Sequence, residues 1–409
     1  MAKLLVDTRP LRSSKDFSLL LFGQLVSLLG SNLTLVAVPY EIYRQTHSSL
    51  WVGLVSLFQL PFLISGSLWG GALGDRFNRR TLLVIFSAVQ SLAVLGLALN
   101  ASLHSSHLYI LFFFAGLAAG LGGVFSPIRS AAIPKLVKPD EMAAAYALNQ
   151  IVMNGGTVVG PALAGVLLAS LGLSSCFLID AVTFLLLSLC TRLMSSMPVA
   201  GVHDGTKLLR SIGQGFRYIK GNKVTQAVYL VDLSANIFGL PRALFPAVAL
   251  TMYHAGPRTL GLLYAAPGAG ALVMALSSGW VGSIRKQGRF VTMSVIFWGA
   301  AMALFGLIHV LVIGLICLAV AGSMDVISTI FRSTILQNAI NDEFRSRVSS
   351  VQMAVVQGGP RLGDVESGLV AGVTSTEFSI VSGGIACILG VLLLCRWRPQ
   401  LWNATTSDV

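Results

Sequence analysis

Apolar runs of twenty residues or more alternate along this chain with short polar connections. They fall at about 17–43, 49–73, 81–102, 107–134, 143–170 and 174–195, then at 224–253, 258–283, 289–309, 311–338, 346–374 and 377–397. One longer polar segment, 196–223, separates the sixth run from the seventh and carries Lys207, Arg210, Arg217, Lys220 and Lys223. About 18 apolar residues suffice to cross the hydrocarbon core of a bilayer as a helix. Only helices and closed barrels satisfy every backbone group there. The pattern predicts an all-α polytopic membrane protein with twelve transmembrane helices in two six-helix bundles. Its expected parts are a tail at 1–16, a bundle at 17–195, a linker at 196–223, a bundle at 224–397 and a tail at 398–409.

Composition removes the soluble alternative. Of the 409 residues 55% are hydrophobic and 11% charged, against about 25% charged in soluble domains. The net charge of +12 changes the picture only through its placement. With the N-terminus inside, Arg76, Arg79, Arg80, Lys135, Lys138, Arg285, Lys286, Arg289, Arg345 and Arg347 fall in inward connections. Arg396 ends the last run and Arg398 follows it, and Lys3, Arg9, Arg12 and Lys15 precede the first. Outward connections hold little beyond Arg44, His47, His104, His107, Arg258 and Glu377. Lys and Arg in short loops are retained on the cytoplasmic side, so both termini are expected there. Nucleic acid is not an expected partner, because the basic residues form no recognition helix or aromatic platform. Cys176, Cys190, Cys317, Cys387 and Cys395 show no metal-ligand spacing. No metal or cofactor is expected. Nucleotide-binding, hydrolase and kinase signatures are absent too, so the chain does not read as an enzyme.

The two halves resemble each other. Adding 203 places Arg129-Ser130 on Arg332-Ser333, Gly155-Gly156 on Gly358-Gly359 and Gly165 on Gly368. Earlier in the halves the offset is 208, which places Gly53 on Gly261, Gly71 on Gly279 and Gly74 on Gly282. A six-plus-six repeat in one direction suits two bundles about an axis normal to the membrane.

The densest charge between spans lies in Gly71-Ala72-Leu73-Gly74-Asp75-Arg76-Phe77-Asn78-Arg79-Arg80. This string resembles the loop 2–3 signature of the major facilitator superfamily, and the likeness extends over essentially the whole chain. The signature's usual glycine is Asn78 here, a change read as acceptable because Asn tolerates left-handed backbone. The copy at 279–286 is degenerate, with Ser283 in place of the acid. The resemblance implies gating by Gly71, Asp75, Arg76, Arg79 and Arg80, with Asp75 against the positive end of helix eleven. Arg129, near the inner end of helix four, is either a further gate residue or an interface arginine. Gly156-Thr157-Val158-Val159-Gly160-Pro161-Ala162-Leu163-Ala164-Gly165 resembles the glycine-proline motif of the superfamily's proton-driven exporters. Its Gly156, Gly160 and Gly165 permit close helix approach and Pro161 permits a bend.

Charges within spans are costly and usually functional. The resemblance places helices one, four, seven and ten around the central cavity. Asp232 and Arg242 fall in helix seven. Asp325 and Arg332 fall on one face of helix ten, about 10 Å apart along its axis and too far to pair without reaching. Glu41 and Arg44 are one turn apart and expected to pair. In helix eleven Arg361 and Asp364 are expected to pair, leaving Glu366 alone. An unpaired carboxylate in low dielectric favours its protonated form, so Glu366 and Asp232 lead as proton carriers, with Asp325 third. Glu41, Arg242, Arg332, Arg361 and Asp364 are the candidates for the substrate cavity, with Phe125, Phe238, Phe245 and Tyr264 as aromatic contacts. Asp180, in helix six, reads as structural.

Tyr40-Glu41-Ile42-Tyr43, Trp51-Val52-Gly53-Leu54, Ser126-Pro127-Ile128-Arg129-Ser130 and Gly359-Pro360-Arg361-Leu362-Gly363-Asp364 resemble the enterobactin-exporter branch, which also includes macrolide pumps. The branch implies a monomeric, proton-coupled exporter of a siderophore or an amphiphilic drug in a bacterial cytoplasmic membrane. Arg242 and Arg332 suit an acidic cargo, Asp232 and Asp325 a cationic one. A membrane receptor that transports nothing is the reading from another class.

Overall fold

The computed structural model describes residues 7–103, 107–197, 217–284, 286–340 and 345–402. Lys3, His104, Lys207, Arg210 and Arg285 lie outside them, as do the side chains of Arg345 and Arg347. Every described element is helical. The N-terminal half has α1 (Lys15–Thr46), α2 (Ser49–Gly74), α3 (Arg79–Ser102), α4 (Leu108–Leu136), α5 (Met142–Leu171) and α6 (Leu173–Arg192). The C-terminal half has α7 (Lys223–Phe238, continuing irregularly to Met252), α8 (Pro257–Leu276), α9 (Gln287–Leu307), α10 (Leu311–Ala339), α11 (Arg345–Val373) and α12 (Thr376–Trp397). Eleven described stretches are long and apolar enough to span a membrane. The remaining long helix, α11, has 29 residues but carries Arg361, Asp364 and Glu366 in its C-terminal half. Large apolar side chains such as Leu92, Leu276 and Leu393 stay exposed, as a lipid solvent allows. The chain is an all-α polytopic membrane protein.

Two compact units form. One comprises Met1–Gln45, Phe58–Gly205 and Pro257–Gly261; the other comprises Thr46–Leu57, Thr206–Gly256 and Leu262–Val409. The first turns of α2 and α8 therefore group with the opposite half of the sequence. In the first unit α3 packs along α6 and α4, and in the second α9 packs along α12 and α10. These are the same pairs six helices apart, as the internal repeat requires. Small residues set the spacing. A Cβ at Gly66 would fall 2.0 Å from the Gly120 carbonyl oxygen, and one at Gly270 would fall 1.7 Å from that of Ala319.

Two apolar runs are not continuous helices. The run at 224–253 breaks after Phe238, passes through Gly239-Leu240-Pro241, and resumes as a 3-10 turn, one helical turn and a π turn. Pro241 has no N–H to give and disfavours helical geometry at Leu240. The freed backbone groups are satisfied from other helices. Trp298 Nε1 donates to the Gly239 carbonyl at 2.8 Å, and the Ala243 N–H donates to Asp364 Oδ1 at 3.0 Å. The run expected to reach 283 leaves α-geometry at Leu276 and ends as a 3-10 turn, Ser278–Ser283, where Gly279 and Gly282 weaken the helix.

Candidate functional site

In the second unit the charged residues of α7 and α10 meet. Arg332 Nη1 lies 2.7 Å from Asp232 Oδ1, with both side chains almost fully buried. Arg332 Nη2 donates to Thr329 Oγ1 at 3.1 Å and stands 3.9 Å from Asp325 Oδ1, whose side chain is half-exposed. The two residues, expected to meet only by reaching, do so loosely. Helical side chains lean toward the N-terminus, so a long arginine at 332 covers much of the distance back to 325. Asn236, one turn after Asp232, donates to the same carboxylate at 2.8 Å. One cation is thus held by two acids, closely by Asp232 and loosely by Asp325. The cluster lines a cavity of about 130 Å³ together with Tyr229, Asn236, Thr329, Ser333 and Gln352. Sequence reasoning had not singled out Asn236 or Thr329, although their spacing of four from Asp232 and Asp325 carried the signal.

A second group surrounds the break in α7. Arg361 and Asp364 do not form the expected pair among the described residues. The Arg361 guanidinium donates to the Gln357 carbonyl at 3.1 Å. Asp364 is buried and accepts from the Ala243 N–H and from the Ser56 hydroxyl of α2. A carboxylate that caps a broken helix satisfies an amide that has no partner within its own segment. Arg242 lies exposed at the break, and its carbonyl accepts from Tyr264 Oη at 3.3 Å. Phe245 is not an open aromatic contact: it is buried, edge-on to Tyr264 and Phe305. Glu366 is half-buried, and no hydrogen bond or ion pair engages its carboxylate among the described residues.

The first unit holds the loop and the glycine-proline helix. Arg79 donates to the carbonyls of Gly74 at 3.2 Å and Ala131 at 2.8 Å, and Arg80 donates to that of Arg192. Both guanidiniums therefore sit on carbonyl ends of helices, the negative pole of the helix dipole. Asn78 is not left-handed, with φ −58°. Its side chain caps α3 by accepting from the Arg80 N–H at 3.0 Å, accepts from the Met197 N–H and donates to Ser196. Asn is present as a cap, not as a substitute for glycine. A Cβ at Gly71 would meet nothing within 4 Å. Asp75 is half-buried and Arg76 exposed.

In α5 the glycines face close neighbours. A Cβ at Gly156 would strike Leu28, one at Gly160 would strike Asn32, and one at Gly165 would fall 2.7 Å from the Pro257 carbonyl oxygen. Glu41 is fully buried and pairs with Arg44 at 2.9 Å, as its spacing implied, with Gln45 donating to it as well. Asp180 is buried and accepts from the hydroxyls of Thr34 and Thr183. Arg129 Nη1 points at the Met153 sulfur at 3.7 Å.

The comparisons agree with this architecture. The sequence profile of a family described as transmembrane secretion effectors matches residues 7–408. The chain is 30% identical over 395 residues to a Citrobacter koseri protein named enterobactin exporter EntS, covering 95% of this chain and 94% of that one. It is 29% identical over 415 residues to the Shigella boydii protein of the same name, covering 99% and 98%. Among solved structures, the nucleoside transporter NupG aligns with a TM-score of 0.75 at 12% identity, covering 93% of this chain and 98% of that one. A bacterial homologue of the human lysosomal transporter Spinster aligns at 0.75 and 14%, covering 98% and 100%. These relatives and fold neighbours are transporters, not enzymes. A profile that spans almost every residue, on a scaffold shared with such transporters, makes the chain a member of the transmembrane secretion effector family, within the major facilitator superfamily.

Proposed function

We propose that this chain is a proton-coupled secondary exporter that moves an enterobactin-like siderophore out of the cytoplasm by alternating access between two six-helix bundles. It works as a monomer in a bacterial cytoplasmic membrane, with both termini and the linker on the cytoplasmic side. The observation that carries the reading is the buried Asp232–Arg332 pair on the wall of a cavity, with Asp325 as a second acid. Protonation of Asp232 from outside removes the charge that holds Arg332 and releases the pair that ties α7 to α10; loss of that proton to the cytoplasm restores the pair and returns the cavity to its starting state. Glu366 and Asp325 are further proton carriers. Asp75 serves the cytoplasmic gate implied by the loop signature, with Arg76, Arg79 and Arg80 holding the loop at the membrane surface. The names of the relatives support a siderophore as cargo. The half-exposed Asp325 favours a second reading, a pump for cationic macrolides or other drugs.

Purified protein in liposomes under an imposed proton gradient tests the proposal, with enterobactin and a macrolide as alternative cargoes. Asp232→Asn, Glu366→Gln and Asp75→Ala are expected to lose gradient-driven efflux. Normal efflux by both Asp232→Asn and Glu366→Gln removes the assignment of the proton path. Macrolide efflux without enterobactin efflux selects the second reading. Movement of neither cargo, nor of any other organic solute, sinks the exporter.

A further inference from the structure

The internal repeat places Arg129 of α4 on Arg332 of α10, each seven residues before the end of its helix. Their surroundings differ in charge. Arg332 is held by Asp232 and approached by Asp325. Subtracting 208 and 203 from those positions gives Gln24 and Gly122, and the starts of α1 and α7, Lys15 and Lys223, share the offset of 208. Both acids of the second unit are thus replaced by neutral residues in the first. The structure supports the correspondence. The Gln24 amide donates to Met153 Sδ at 3.1 Å and to Asn149 Oδ1, and the Arg129 guanidinium points at the same sulfur. Thioether sulfur is a weak acceptor, and Arg129 Nε is buried with no acceptor among the described residues. At Gly122, where the repeat has Asp325, a Cβ would meet no atom within 4 Å. Gly122 and Arg129 are seven residues apart and share a face of α4. Among the described residues a partly buried guanidinium therefore stands without a counter-charge, on the face of α4 where Gly122 leaves open space, within a membrane span where such a cation is costly.

We infer that Arg129, with Gln24 beside it, is a binding site for an anionic oxygen group, a carboxylate or phenolate, contributed by the cargo. This deepens the exporter reading and rests on it only for the identity of the cargo. The first unit supplies a cation that is free for the ligand, whereas the second supplies one already matched by its own acids. The phosphate of a cytoplasmic-leaflet lipid offers the same chemistry and is the rival source.

The test uses the full-length protein in dodecyl maltoside, which carries no phosphate, with salicylate as the anionic probe and salicylamide as its uncharged control. Salicylate is expected to raise the thermal midpoint of the wild type and salicylamide is not. Arg129→Gln is expected to weaken salicylate binding about tenfold or more, the usual range for loss of a charge-assisted hydrogen bond. Gln24→Glu restores the missing acid. It is expected to weaken salicylate similarly while raising the midpoint without ligand, which loss of a merely structural arginine would not do. Equal salicylate effects in wild type, Arg129→Gln and Gln24→Glu overturn the proposal, as does the absence of any effect on the wild type. Arg129-dependent protection by added phosphatidylglycerol, with none by salicylate, assigns the site to lipid and overturns it as a cargo site. Failure of enterobactin efflux alongside Arg129-dependent salicylate binding refutes the cargo while leaving this site standing.

Discussion

Replacing Asp232 with Asn removes a negative charge 2.7 Å from Arg332 and leaves a buried cation with Asp325 as its remaining acid. At an effective dielectric constant of about 20, unit charges 4 Å apart interact by about 4 kcal/mol. Breaking a buried pair from one side costs about 3–5 kcal/mol, because the survivor stays desolvated. Asp325 is half-exposed and stands 3.9 Å away, so its own pairing is worth about 0–1 kcal/mol, as for exposed pairs. Asp232→Asn is therefore expected to lower the thermal midpoint in detergent by roughly 6–15 °C, taking about 2–3 °C per kcal/mol for a unit of this size. Asp325→Asn is expected to lower it by no more than about 3 °C on the same scale. The double variant Asp232→Asn/Arg332→Gln is expected to regain most of the loss, since the one charge left unpaired, Asp325, is half-exposed, while staying inactive in transport. Fluorescence-detected size-exclusion after heating measures all three. Equal losses for Asp232→Asn and Asp325→Asn, or no recovery in the double variant, would refute the unequal sharing of Arg332.

Other expectations follow from single contacts. Asp364→Asn keeps an acceptor for the Ala243 N–H and is expected to retain most stability, whereas Asp364→Ala loses about 1–3 kcal/mol, the cost of an unsatisfied buried donor; hydrogen exchange across 239–252 reads the difference. Gly165→Ala forces a methyl group against the Pro257 carbonyl; a loss of about 1–3 kcal/mol in detergent unfolding is expected, and unchanged stability would show that α5 and α8 yield without strain. Asn78→Gly restores the usual residue of the loop signature yet is expected to destabilise, by about 0.5–1.5 kcal/mol, because it deletes the hydrogen bonds to Ser196 and Met197 together with a cap that glycine replaces at a cost of a few tenths; a rise in the thermal midpoint would contradict this.

The periodicity of the runs was enough to read the spans, because the length of a membrane helix is imposed by the bilayer and shows directly in sequence. The irregular α7 was not read, although Gly239 and Pro241 were visible. A proline in a span often leaves only a kink, and the groups that make a full break affordable, Trp298 and Asp364, come from helices about 60 and 120 residues away. The Glu41–Arg44 pair was legible because it is local. The Arg361–Asp364 pair failed for the complementary reason: correct spacing within a helix cannot reveal that another segment offers the carboxylate an unsatisfied N–H. The Asp232–Arg332 contact joins α7 to α10, and sequence supplied both charges without their partnership. The repeat proved informative beyond the fold, since comparing equivalent positions exposes where one half has lost charges that the other retains.

The caps formed by Arg79 and Arg80 mean that two biological instructions reside in the same side chains. During insertion only the charge is read, and lysine would serve as well. Once the helices have assembled, the planar guanidinium of Arg79 reaches two carbonyls on different helices, which the compact ammonium of lysine matches poorly. Direction of insertion and the strength of the finished loop are consequently separable: a chain with lysines there would insert in the same direction and then hold this loop less firmly.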